Sequence, residues 1–132
     1  MTRLWHQRLC FAALVLLLAA CGEPAPPELI QTIDGITATL SLTPELPLPM
    51  QDTTLALALQ DDGLAVVGVT IAMTLTMPGC PMAPSYLALQ DEGNGLYRTQ
   101  TVLTMAGAWK ADTNVTFADG QNTQFTFFFA TR

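Results

Sequence analysis

The chain has 132 residues, with 5 Lys and Arg against 11 Asp and Glu, one histidine and three cysteines. A formal charge of −6 excludes the basic footprint that nucleic acid demands. The length admits a single domain with one core of two packed layers.

In chain order, Arg3 and Arg8 frame the start of an apolar run from Leu9 to Leu18, and small residues then lead to a cysteine. This is the layout of a secretory signal peptide, and the run is shorter than the roughly 20 apolar residues a membrane-spanning helix needs. "LAAC" at residues 18–21 resembles the lipobox of bacterial lipoproteins, in which the cysteine becomes the lipidated first residue. The alternative is an ordinary signal peptide with an incidental cysteine. The expected organisation is a signal over 1–20, lipidated Cys21 with a proline-rich tether over 21–33, and a folded domain over 34–132. Gly22, and not aspartate, follows the cysteine, which resembles the Gram-negative sorting pattern for the outer membrane; the resemblance implies a lipid-anchored place in the cell envelope, at the periplasmic face of the outer membrane if the cell is Gram-negative.

Without residues 1–20, three basic residues (Arg98, Lys110 and Arg132) face all eleven acidic ones, a net charge of −8. Such a chain is repelled by anionic head groups as well as by nucleic acid, so membrane contact is expected from the acyl anchor alone. Cys10 leaves with the signal and Cys21 is consumed by lipid, which leaves Cys80 with no intramolecular partner. A lone cysteine in an oxidising compartment suggests a buried thiol, an intermolecular bridge or a metal ligand.

Beyond the tether the chain falls into short alternating runs, the pattern of an all-β fold. Ile36, Ala38, Leu40 and Leu42 alternate with Thr37, Thr39 and Ser41, and Leu55, Leu57 and Leu59 alternate with Thr54, Ala56 and Ala58. Between them "TPELPLPM" carries prolines that lack ladder donors, so it is expected to cross an edge between sheets. "DDG" at 61–63 is a turn. Val66 to Met77 is the longest strand signal, with Val67, Val69, Ile71, Met73, Leu75 and Met77 on one face. After the loop "TMPGCPMAPS" come a strand "YLALQ", a turn "DEGNG", and an expected hairpin of Leu96–Thr104 with Trp109–Phe117 around "MAGA". "ADGQ" then turns the chain into Thr123–Ala130, where Phe125, Phe127 and Phe129 share a face. About seven antiparallel strands in about 100 residues is the rhythm of an immunoglobulin-like β-sandwich. Tyr97, two residues after Gly95 at a strand start, fits a tyrosine corner bonded back to the preceding turn.

The order Met77-Pro78, Gly95-Leu96-Tyr97 and Ala106-Gly107-Ala108-Trp109 resembles the YtkA-like and FixH-like domain families, over about 80 residues of the folded part. The resemblance implies a small extracytoplasmic β-sandwich, often in the context of copper or heavy-metal handling or of assembling a copper-containing terminal oxidase. The lipobox, in place of a transmembrane helix, departs from the FixH-like pattern and argues against a direct role as an oxidase-assembly subunit.

The residues themselves argue against catalysis. His6, the only histidine, lies in the signal, so neither a Ser-His-Asp triad nor a Cys-His pair can be assembled. Cys80 has no cationic neighbour in sequence to activate it. Asp61-Asp62 and Asp91-Glu92 sit beside turn glycines and read as solvated turn residues, with too few carboxylates at "DEGNG" for a calcium loop. The chain is expected to be non-catalytic.

Zinc and Cu(II) sites draw on imidazole or several thiolates, which the mature chain lacks, whereas Cu(I) accepts thioether and thiolate sulfur. Met77, Cys80 and Met82 offer such ligands on one short loop that Pro78, Pro81 and Pro84 stiffen, and Met50 or Met105 could add another. Two readings stay open. In one, a lipid-anchored domain binds or delivers Cu(I), with a copper-handling partner. In the other, Met77, Cys80 and Met82 merely pack, and the chain is a structural or partner-binding envelope lipoprotein.

Overall fold

The computed structural model describes residues 29–132, so the expected signal segment, Cys21 and the tether as far as residue 28 lie outside the described residues. No helix occurs among them. The strands are β1 (Ile30–Ile33), β2 (Ile36–Thr43), β3 (Asp52–Asp61), β4 (Leu64–Ala65), β5 (Thr70–Thr76), β6 (Ser85–Gly93), β7 (Leu96–Val102), β8 (Gly107–Thr116) and β9 (Asn122–Thr131). Ile30–Ile33, assigned to the tether by the sequence reading, instead pairs with β2 from Ile30↔Thr39 to Ile33↔Ile36. The Asp34-Gly35 turn makes this pairing possible, since both residues have positive φ, 51° and 83°.

All ladders are antiparallel, in the order β1-β2-β3-β7-β6-β5-β8-β9, with β4 on β3. Setting aside the short β1 and β4, this is the A-B-E-D and C-F-G order of a constant-type immunoglobulin sandwich. Strand β6 belongs to both layers. Its first half pairs with β5 from Leu75↔Ser85 to Ile71↔Leu89, and its second half pairs with β7 at Gln90↔Arg98 and Asp91↔Tyr97, with a register shift between Asp91 and Gly93. At the opposite edges Gln31 Oε1 accepts a hydrogen bond from Thr126 N at 2.9 Å, so the sheet is nearly closed.

The period-two pattern decides what fills the space between the layers. Leu40, Leu55, Leu57 and Leu59 face Ile71, Met73, Leu75, Val115, Phe125 and Phe127, all buried. Each such side chain contributes about 1.5–3 kcal/mol relative to exposure.

Three local expectations change. The proline-rich "TPELPLPM" joins neighbours, since β2 and β3 pair from Ile36↔Asp61 to Thr43↔Thr54; the prolines end β2, yet the chain folds back onto the same sheet. Strand β5 starts at Thr70 and not at Val66, because Gly68 takes φ +71° and Val67 is exposed. Leu96–Thr104 and Trp109–Phe117 form no hairpin. Strand β7 pairs with β3 and β6, whereas β8 pairs with β5 and β9. Leu103 is fully buried, and its burial draws the chain from one layer into the other.

Tyr97 also bonds elsewhere than expected. Its hydroxyl donates to Val66 O at 2.9 Å, on the segment that crosses from β4 to β5, and not to the turn before it. Gly95 meets the same segment: a Cβ there would lie 2.7 Å from Leu59 O and 3.2 Å from Val66 N. The Gly-Leu-Tyr element thus pins the crossing between the layers.

Burial raises the Tyr97 phenol above its ordinary value, Asp91 adds to the rise and the Val69 backbone opposes it. The folded state therefore holds this proton more tightly than the unfolded chain. Its contribution to stability is complete below a pH of about 10 and is lost as pH rises through the higher folded value. Denaturant melts across this range are expected to show an alkaline loss of stability that Tyr97→Phe abolishes and that a change at exposed Tyr86 leaves intact. At neutral pH Tyr97→Phe should itself cost about 1–3 kcal/mol, because Val66 O is left without its donor.

Candidate functional site

Strand β5 ends at Thr76, and the turn after it is set by Pro78 and Gly79. Cys80 N donates to Met77 O at 3.1 Å across Gly79 at φ +79°, which is a type II turn with proline and glycine where that geometry favours them. Met82 N then donates to Cys80 O at 2.9 Å around Pro81, a three-residue γ-turn. Two consecutive tight turns hold Met77, Cys80 and Met82 within one short arc.

Their burial differs by position. Met77 is 8% exposed and belongs to the core, so it continues the inward face of Ile71, Met73 and Leu75. Its methyl lies 3.0 Å from where a Cβ on Gly107 would stand, so the glycine opening β8 makes room for the thioether. Cys80 and Met82 are half-buried and pack against the same core.

The fold brings two more methionines to this end. Met50 N donates to Leu103 O at 2.7 Å, which joins the β2–β3 loop to the β7–β8 loop. Met50 takes φ +63°, a left-handed conformation unusual for an unbranched apolar residue. Met105 lies two residues beyond Leu103, and its carbonyl accepts from Trp109 Nε1 at 3.1 Å and from Thr131 Oγ1 at 2.7 Å. The Thr131 hydroxyl also accepts from Gly107 N at 3.0 Å. Trp109, Gly107 and Thr131 thus clamp the loop that presents Met105. Of the described methionines only Met73 lies away from this end.

The Ala-Gly-x-Trp element was visible as a motif, but its action as a clamp on the Met105 carbonyl was not. Thr131 carried no signal at all, because a threonine in a β-strand is unremarkable in sequence. The opposite end carries Asp34, Asp61, Asp62, Asp91, Glu92 and Asp119 at its turns. Among the described residues no three His, Cys, Asp or Glu side chains are grouped to hold a metal ion.

Residues 30–114 match the family described as YtkA-like. That span holds Met50, Met77, Cys80, Met82, Gly95, Tyr97, Met105 and Trp109. Among solved structures, the soluble domain of PmoD from Methylocystis sp. ATCC 49242 (Rockwell) superposes with a TM-score of 0.56 at 11% identity, covering 79% of this chain and 97% of that one. A DUF4426 family protein from Pseudomonas aeruginosa PAO1 superposes with a TM-score of 0.55 at 10% identity, covering 76% and 94%. At such identities the likeness is one of fold. No curated protein matches the chain.

Proposed function

The chain belongs to the YtkA-like family, and from that premise we propose that it is a lipid-anchored, non-catalytic domain of the cell envelope that binds or delivers Cu(I) through Met77, Cys80 and Met82. The observation that carries this reading is the gathering of Met50, Met77, Met82, Met105 and the Cys80 thiol at one end of the sandwich. Cu(I) is soft and accepts thioether and thiolate ligands at low coordination number. The tight turns at Gly79 and Pro81 limit the entropy lost when the loop closes on an ion. Cys80 and Met82, half-buried beyond the strand, are the accessible donors, and Met77 reaches an ion only by turning its flexible thioether out of the core.

The anchor is acylated Cys21, and the expected location is the periplasmic face of the outer membrane in a Gram-negative cell. Partners in this reading are the membrane, through the lipid, and a copper-handling envelope protein. Nucleic acid is disfavoured by charge.

Titration of the reduced domain with Cu(I) against a competing chelator tests the metal reading. Cys80→Ser combined with Met82→Leu is expected to weaken binding at least about tenfold, or about 1.4 kcal/mol, while Met73→Leu in the core leaves it unchanged. Equal affinity in the double variant would leave the second reading, a partner-binding or structural envelope lipoprotein without metal. The packing of Met77, Cys80 and Met82 against the core favours that alternative.

A further inference from the structure

We infer that the β2–β3 and β7–β8 loops at the methionine-bearing end form a lipid-contacting surface, distinct from the arc of Met77, Cys80 and Met82 and seated on the bilayer to which the chain is tethered; this rests on the reading of Cys21 as the lipid anchor.

Leu46, Leu48, Met50, Val102 and Met105 are large apolar side chains exposed at this end. They form one surface and not scattered points. Met50 N bonds Leu103 O at 2.7 Å, between Val102 and Met105, and Pro47 O accepts from Arg132 N at 3.0 Å, between Leu46 and Leu48. Met50 is 71% exposed and its backbone is held at φ +63°. The positive φ belongs to the Pro49-Met50 turn, which displays the thioether to solvent. Exposed apolar surface of this kind calls for a covering partner.

Two observations commit that partner to a bilayer. The first is charge. Asp34, Asp61, Asp62, Asp91, Glu92 and Asp119 crowd the opposite end, with no Lys or Arg among them. The methionine end has Glu45 and Asp52 together with Arg132. Head groups of a membrane that carries negative charge repel the first end far more than the second. The second observation is where the described chain begins. Leu40 N donates to Leu29 O at 2.8 Å, and β1 runs from there to Ile33 at the acidic end, so Leu29 is the residue of this segment nearest to Thr43 and the methionine end. The eight residue steps from Cys21 to Leu29 span at most about 28 Å, and the methionine end lies about 10 Å from Leu40 along β2. A tether of that length lets this end reach the surface, where apolar contacts too weak to recruit a free protein become effectively intramolecular. The side chains would enter the interfacial layer, as apolar side chains on a peripheral surface do. Membrane contact then comes from the fold as well as from the anchor.

The test uses the full acylated chain in phosphatidylethanolamine–phosphatidylglycerol vesicles, with bromine on the upper acyl carbons as a contact quencher. Met50→Trp probes the apolar end and Leu64→Trp, at a position 74% exposed beside the acidic turns, probes the other. Trp109, buried in both, supplies the same background. The expected result is at least twofold quenching of the Met50→Trp increment, none at Leu64→Trp, and loss of the quenching when Met105→Glu and Leu48→Glu are added. Mass spectrometry of Cys21 accompanies each sample. Unquenched Met50→Trp on an acylated chain overturns this inference and leaves the anchor intact, whereas an unmodified Cys21 with no vesicle binding overturns both. A blue-shifted but unquenched Met50→Trp would mean that a second copy of the chain covers this end, which also overturns it.

Discussion

Gly95→Ala is expected to lower the unfolding free energy by about 3 kcal/mol or more, a large part of the 5–15 kcal/mol that holds a domain of this size. The new methyl would stand 2.7 Å from Leu59 O, 3.1 Å from Ala65 Cβ and 3.2 Å from Val66 N, on a residue at φ +76°. Two of those atoms are backbone, so no side chain can swing away to relieve the contact. Leu59 O already accepts from Val66 N at 3.0 Å, and Leu59 N donates to Gly95 O at 2.9 Å. A shift of Gly95 therefore strains both bonds together and loosens the crossing that Tyr97 holds from the other side. Gly63→Ala separates the steric effect from the backbone one, because Gly63 also has positive φ, +80°, but nothing lies within 4 Å of its added Cβ. It should cost only about 1 kcal/mol. Thermal or denaturant melts of the two variants check the difference, and equal losses would mean that close approach at Gly95 is not what selects glycine.

Trp109→Ala should cost about 3–5 kcal/mol, the usual range for removing a buried tryptophan. Trp109 is almost fully buried, and its indole N–H is shared between Met105 O at 3.1 Å and Thr131 Oγ1 at 3.3 Å. Trp109→Phe keeps most of the apolar volume and removes only the donor, so about 1–2 kcal/mol is expected. Thr131→Val removes the second donor to Met105 O. Because both bonds end on one carbonyl, the two changes should not add, and a double-mutant cycle should show a coupling of at least about 0.5 kcal/mol. Strict additivity would mean that Trp109 and Thr131 do not act as one clamp. Amide exchange of residues 103–106 provides a second measure, since the clamp predicts faster exchange there in either variant.

Much of the fold was legible from particular residues. Leu55, Leu57 and Leu59 on one strand, and Phe125, Phe127 and Phe129 on another, recur at every second position, and a strand that buries one face places just such a set of large side chains on it. The Met-Pro-Gly-Cys turn was readable for the same kind of reason, since proline and glycine supply the two backbone conformations that a type II turn requires. The supposed hairpin at "MAGA" failed because its evidence, two alternating runs and a short linker, fits adjacent strands and a crossing between layers equally well. Leu103 decides between them, and its burial depends on the other layer being present.

The candidate site was half legible. Sulfur on the loop after β5 could be read directly, and Met77 could be assigned to the core by its spacing from Ile71, Met73 and Leu75. That Met50 and Met105 join that end could not, because it depends on Met50 N reaching Leu103 O across about fifty residues of chain. The sequence by itself determined which side chains turn inward and where the chain must bend, because both follow from the period of a strand and the steric limits of glycine and proline. Tertiary structure alone decided strand order, the Tyr97–Val66 bond, the clamp on Met105 and the separation of an apolar, methionine-bearing end from an acidic one. Local periodicity carries no information about which distant strand completes a ladder, and loops acquire neighbours only once those ladders have formed.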